Sequence, residues 1–343
     1  MSYTVRASEQ SRNKASDTET KALLYLMSFH DDSDDIFYFV VDFFNDLTGM
    51  DRFSNKLWDV QSKGVKNASP KVVGKELVTL YKNYCSDIEF YQYILFLGGV
   101  SDSVRVNTSQ DVFNITNIQT KALEKIKQGL KEECIAKTYF DETLISECNI
   151  EDFLGKVLFV IDNKTRCEYV KAIIKIHPQI VPNDEVLDGI FNEIRAKQSS
   201  KKDMYALEGI TIQTTDQSLN YFRHLTNGEI KLFVLGRIIN RNPFEQGCPQ
   251  PFIPIYNQFP PERRKDAFAD CQIALSRALF NNNCAESFWK LFSNIYHTIV
   301  ANPNCDVEKI YHQLDKRTMF ECPNFDVLSL KYFIATIMEG IGL

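Results

Sequence analysis

The chain has 343 residues, with 44% hydrophobic and 24% charged, and a formal net charge of -6. This is globular composition; the length fits two domains, and the richness in Phe and Tyr excludes wholesale disorder. An acidic body also excludes a constitutive nucleic-acid coat protein, so any nucleic-acid contact must be a local basic patch.

The first residues are polar and lack an apolar core, which predicts no signal peptide. No window is apolar enough to span a membrane, so a soluble, cytoplasmic protein without membrane partners is expected. The nine cysteines form no CxxC pair and have no His at zinc-finger spacing, which predicts reduced, mostly buried thiols.

In chain order, residues 1–16 read as flexible. A helix follows, capped by Asp17 or Thr18, with Ala22, Leu23, Leu26 and Met27 as its apolar stripe. Ile36–Phe44 is β-branched and aromatic and reads as a strand. Asn45–Asn55 reads as a turn around Gly49, and Leu57–Ser62 as a second strand. Ser69-Pro70 starts a helix that runs to about Asn83. Glu89–Leu97 reads as a third strand ended by Gly98-Gly99, and 117–137 as a long amphipathic helix. This order is an α/β layered core.

A boundary is expected over 138–150, giving a domain over 1–150 and a mostly helical region over 151–343. Within the latter, Phe153–Ile161 reads as a strand, and Cys167–Ile176 and Asp184–Ala196 as helices. Ser199–Asp203 reads as a polar surface break, and Asp216–Arg241 as a helix broken near Asn227-Gly228. Asn242–Pro261 holds six of the eleven prolines and reads as an irregular connector, with mostly helix beyond it.

The chemistry concentrates between Asp42 and Lys82. Written as a strand, Leu57–Gly64 puts Asp59, Gln61 and Lys63 on one face. Asp46 precedes them by a loop, so a neighbouring strand can bring its carboxylate close. A carboxylate and an amide oxygen suit a hard divalent cation such as Mg2+ or Mn2+, which can polarise a phosphodiester and acidify a bound water. Lys63 can orient that water and offset charge growing on the phosphate. Further carboxylates would strengthen the site: Glu19 on the first helix is the candidate, and Asp42 and Asp59 are further metal candidates. The same alternation also describes a solvated strand face.

Taken in order, an acid on an upstream helix, Asp42 to Asp46-Leu47, then Gln61-Ser62-Lys63 at a strand end, resembles the PD-(D/E)XK nuclease superfamily in its QxK form. More narrowly, Ala15 to about Gly99 resembles the DNA-endonuclease domain of CBASS-type bacterial defence effectors, which also occurs in the nuclease subunit of Lamassu-type systems. The resemblance implies a restriction-endonuclease-like core, with Asp46 the metal aspartate, Gln61 the second ligand and Lys63 the catalytic lysine. It implies double-stranded DNA as substrate, and as partners an SMC-type ATPase and a small accessory subunit. A nuclease of this kind must be kept silent until activated, and cutting both strands calls for a dimer or higher oligomer.

Lys66, Lys71, Lys75 and Lys82 read as phosphate contacts beside such a site, or as a solvated helix face. The five histidines have no metal-binding spacing, Gly98-Gly99 lacks the residues of a phosphate loop, and Trp289, Phe292 and Tyr296 read as core. The competing reading of the whole chain is a scaffold or interaction subunit on a degenerate nuclease fold.

Overall fold

The computed structural model describes residues 2–5, 16–137, 140, 145–174, 182–202 and 207–342. Most of the segment expected to be flexible, His177, much of the 138–150 boundary, Asp203 and the end of the helix expected to reach Ile176 lie outside them. The chain divides into one unit of residues 1–169 with 191–226, and a second of 170–190 with 227–343.

The first unit is built on a mixed seven-stranded sheet. In chain order its elements are β1 (Tyr3–Thr4), α1 (Asp17–Ser28), β2 (Ile36–Val41), β3 (Leu47–Asp51), β4 (Leu57–Lys63), α2 (Pro70–Glu76), α3 (Val78–Tyr84), β5 (Gln92–Leu97), β6 (Val112–Phe113), α4 (Thr120–Ala136), α5 (Glu147–Gly155) and β7 (Val157–Ile161). Then follow α6 (Arg166–Ile174) and α7 (Asp184–Lys202), each divided between the two units, and β8 (Thr211–Ile212) and β9 (His224–Thr226) of the first. The sheet runs β6-β7-β5-β4-β3-β2-β9, while β1 pairs only with β8. β2, β3 and β4 form an antiparallel meander. β5 then lies parallel to β4, and β7 parallel to β5.

Strand alternation sorts the core. Tyr93, Leu95 and Leu97 of β5 bury one face beneath α2 to α5, among Val73, Leu80, Ile126 and Phe153. From the other face Phe96 meets Tyr25 of α1, ring centroids 5.8 Å apart. Two glycines let α2 and α4 cross closely. A Cβ on Gly74 would lie 2.1 Å from the Ile126 carbonyl, and one on Gly129 2.2 Å from that of Lys71. Gly98-Gly99 has the same use: a Cβ on Gly99 would lie 2.1 Å from the Lys66 carbonyl, so the pair seats the loop after β4.

Several expectations are corrected. Asn45–Asn55 is not a turn but contains β3, where Gly49 admits the Leu26 and Ile36 side chains at 3.2 and 3.3 Å from where its Cβ would stand. The helix after Ser69 is two helices, interrupted at Leu77. Phe153 and Leu154 belong to α5 rather than to the strand that follows. Helix α7 continues through the expected break at Ser199 to Lys202, and the helix expected from Asp216 is a 3-10 helix over Thr215–Tyr221 followed by β9. β7 and β9 complete the sheet from beyond residue 150.

The second unit is helical. Its elements include α8 (Asn227–Ile238), α9 (Ile253–Tyr256), α10 (Pro261–Phe280), α11 (Ala285–Ala301), α12 (Val307–Gln313), α13 (Lys316–Phe320) and α14 (Val327–Gly340). Trp289 and Phe292 are buried in its core, as their spacing predicts, with Phe333 of α14 against Phe292 and Phe288. A capping box of Asp326 and Ser329 starts α14.

Candidate active site

The sheet topology decides where the polar residues meet. β2 ends, β3 begins and β4 ends at the same sheet edge, because β2 and β4 both run antiparallel to β3. Asp42, Asp46, Gln61 and Lys63 therefore share that edge, where the parallel strands β5 and β7 also end. Asp42 turns the chain with φ of 51°, a left-handed conformation that Asp tolerates better than most side chains. Its N–H donates to the Asp46 carbonyl at 3.3 Å and closes the hairpin.

Asp46 is the hub. Its Oδ2 accepts from Gln61 Nε2 at 2.9 Å, from the Ser62 N–H at 2.9 Å and from Ser62 Oγ at 3.1 Å. Burial pushes its pKa up to about 6; the Ser62 N–H and the Lys63 ammonium lower it, while Glu19 and Asp42 raise it further. Through those influences the charges of Glu19, Asp42 and Lys63 all act on one carboxylate. Lys63 Nζ stands 3.4 Å from Glu76 Oε2 of α2.

Glu19 is positioned by the helix start. Ser16 caps α1, its Oγ accepting from the Glu19 N–H at 3.2 Å, which fixes Glu19 in the first turn. One partner of this carboxylate is absent from the sequence reading. Lys202, the last residue of α7, puts its ammonium 2.6 Å from Glu19 Oε2 and 3.3 Å from Asp42 Oδ2, with only 3% of the side chain exposed. Burial opposes that charge, yet the two carboxylates hold the Lys202 pKa above its ordinary value. No local pattern identifies such a residue; its partners lie more than 150 positions upstream.

Asp59, expected beside Gln61 as a further metal ligand, is instead sealed beneath α3. It shares the face of Gln61 but stands one strand repeat inside the edge, where Asn83 Nδ2 donates to its Oδ2 at 2.7 Å. Burial there pushes its pKa up to about 7.

The oxygen donors that remain fit a small hard cation. Among the described residues, Asp46 Oδ1 and Gln61 Oε1 make no hydrogen bond, so each keeps its lone pairs for a ligand. No group of three His, Cys, Asp or Glu side chains among the described residues is placed to hold a metal.

Beside the edge lies a cleft of about 630 Å³ whose walls include Thr18, Lys21, Lys66, Asp162 and Arg166. Lys21 pairs with Asp162 at 2.7 Å, and Arg166 pairs with Asp17. Of the four lysines expected at phosphates, Lys66 lines this cleft. Lys71 pairs with Glu132 of α4 at 2.8 Å, Lys75 adds to the positive field on Glu132, and Lys82 lies over the Tyr3 ring. Because the helix breaks at Leu77, these three do not form the single stripe expected.

No helix among the described residues is long and apolar enough to cross a membrane. No family model, curated protein or solved structure matches this chain.

Proposed function

We propose that the chain is a metal-dependent DNA endonuclease with a restriction-endonuclease-like core, centred on Asp46, Gln61 and Lys63. The observation that carries this reading is the convergence at one sheet edge. The Asp46 carboxylate is bonded to Gln61 and Ser62 and lies within the fields of Lys63, Glu19 and Asp42. A helix bearing an acid, a meander bearing a second acid and QxK, a helical crossover and a parallel strand together give the order that the resemblance implies.

Asp46 Oδ1 and Gln61 Oε1 would hold Mg2+ or Mn2+, and the ion supplies Lewis-acid polarisation of the phosphate and an acidified water. Ser62 fixes the Asp46 carboxylate through both its N–H and its hydroxyl. Lys63, with 25% of its side chain exposed at the rim, holds positive charge where the scissile phosphate gains negative charge. Lys66, in the adjoining cleft, suits a flanking phosphate of the same strand.

The biological setting follows from the resemblance: an effector of bacterial anti-phage defence, held silent with an SMC-type ATPase and a small accessory subunit. Two copies facing one duplex would break both strands. The test is cleavage of supercoiled plasmid with Mg2+ or Mn2+, by the chain alone and with its partners. Expected are nicked and linear products from wild type, and a loss of about 10²- to 10³-fold in rate for Lys63→Ala. Equal cutting by Lys63→Ala overturns the assignment.

A second reading, a non-catalytic scaffold on the same fold, draws on Gln61, an uncharged amide at a ligand position, whose Nε2 donates to Asp46. Divalent-ion binding separates the two. The scaffold binds none at millimolar concentration, and Asp46→Ala then changes nothing.

A further inference from the structure

Helix α7 presents Arg195, Gln198 and Lys202 at i, i+3 and i+7, a single helical face. All three reach the first turn of α1. Arg195 pairs with Asp17, Gln198 Oε1 accepts from Thr20 Oγ1 at 2.9 Å, and Lys202 reaches Glu19. The contacts are graded in character. The Arg195–Asp17 pair is more than a third exposed, whereas Gln198 is sealed and the Lys202 side chain is 3% exposed. A long, flexible ammonium is thus delivered to a buried place between two carboxylates of the proposed active site.

A buried ion pair is a poor stabilising device, because desolvating the charges offsets most of their attraction. Its position suggests another use. Glu19 and Asp42 each send a carboxylate to one point, and Asp46 closes the hairpin that Asp42 opens. A bare Glu19–Asp42 pair beside the Asp46 ligand would attract a further divalent ion, as in sites that clamp both the attacking and the leaving oxygen of a phosphate. The Lys202 ammonium stands instead within 3.3 Å of both outer carboxylates, while Asp46 Oδ1 is left without a hydrogen bond among the described residues.

We propose that Lys202 is the second cation of this site: its ammonium, set between Glu19 and Asp42, takes the place of a second metal. The edge then holds one divalent ion, at Asp46 and Gln61. This rests on the nuclease reading above and deepens it. Lys202 is a positioning residue, acting on the ion through Glu19 and Asp42.

The experiment counts bound Mn2+ per full-length chain, by calorimetry and by electron paramagnetic resonance, at pH 7.5. Expected are one ion for wild type, one for Lys202→Arg, which keeps the charge, and two for Lys202→Met. Adding Glu19→Gln to Lys202→Met returns the count to one. Circular dichroism checks folding; if Lys202→Met does not fold, Lys202→Gln, which keeps a hydrogen-bond donor but no charge, carries the same expectation. Two ions in wild type overturn the proposal, as does a count of one with unchanged affinity in the neutral variant. No Mn2+ bound by wild type overturns the nuclease reading itself, which separates the two failures.

Discussion

Asp46 and Asp59 are neighbouring carboxylates that burial treats alike and the fold uses differently. Asp46, at the edge, has its pKa pushed up to about 6, so a proton and a cation compete for it. Divalent-ion affinity is expected to be level above pH 7 and to fall as pH drops through about 6, by up to tenfold per pH unit. Calorimetric titrations at a series of pH values check this; an affinity flat from pH 7.5 to 5 would mean that Asp46 is not the ligand. Asp59, fully enclosed, has its pKa pushed from 3.8 to about 7. The folded state then binds its proton more tightly than the unfolded chain does, so this residue favours folding at low pH. That contribution is lost as pH rises from about 4 to 7. The difference in unfolding free energy should move in favour of Asp59→Asn across that window, by on the order of 4 kcal/mol at its upper end. Urea denaturation of the two proteins at pH 4 and pH 7 measures it.

At the scale of elements, the site depends on a helix start and on a pair of glycines. Ser16→Ala removes the cap that holds Glu19 in the first turn of α1, and is expected to cost about 1 kcal/mol. Gly99→Ala drives a methyl toward the Lys66 carbonyl, and is expected to cost about 1–3 kcal/mol. Thermal denaturation checks both, and a Gly99→Ala protein as stable as wild type would remove the loop-seating account of that glycine.

The elements also mark what was legible in the sequence. Asp46, Gln61 and Lys63 could be read because strand period and hairpin spacing are local, and the structure brings them to one edge with Glu19 and Asp42. β3 was hidden because Gly49 has the signature of a turn, while its actual use is to admit Leu26 and Ile36. Lys202 was hidden because Ser-Ser-Lys-Lys has the polarity of a surface break. Only its partners, far upstream on α1 and at the end of β2, make it a buried ammonium. Asp59 was read on the correct face but at the wrong depth, since alternation gives direction and not distance from the edge.

At the scale of the molecule, a chain of net charge -6 holds Lys63 and Lys66 about one sheet edge and the cleft beside it, where Lys21 and Arg166 are already paired with Asp162 and Asp17. DNA affinity is therefore expected to be modest and to fall steeply with salt. Lys66→Ala should weaken binding evenly across sequences and lower the slope of log K against log salt by about 1, whereas Lys71→Ala, paired with Glu132, should change little. Fluorescence anisotropy on a short duplex over a range of salt concentrations measures both. The sheet recruits β7 and β9 from beyond residue 150, so a truncation there would remove two of its strands.

One divalent ion is expected at the Asp46 and Gln61 oxygens, beside Lys63. Anomalous diffraction from crystals grown with Mn2+ locates the ion directly. The expected result is a single peak within coordinating distance of Asp46 Oδ1 and Gln61 Oε1, with Lys202 still bridging Glu19 and Asp42. A map without a peak at that edge under saturating Mn2+, or with Mn2+ bound only elsewhere, would contradict it.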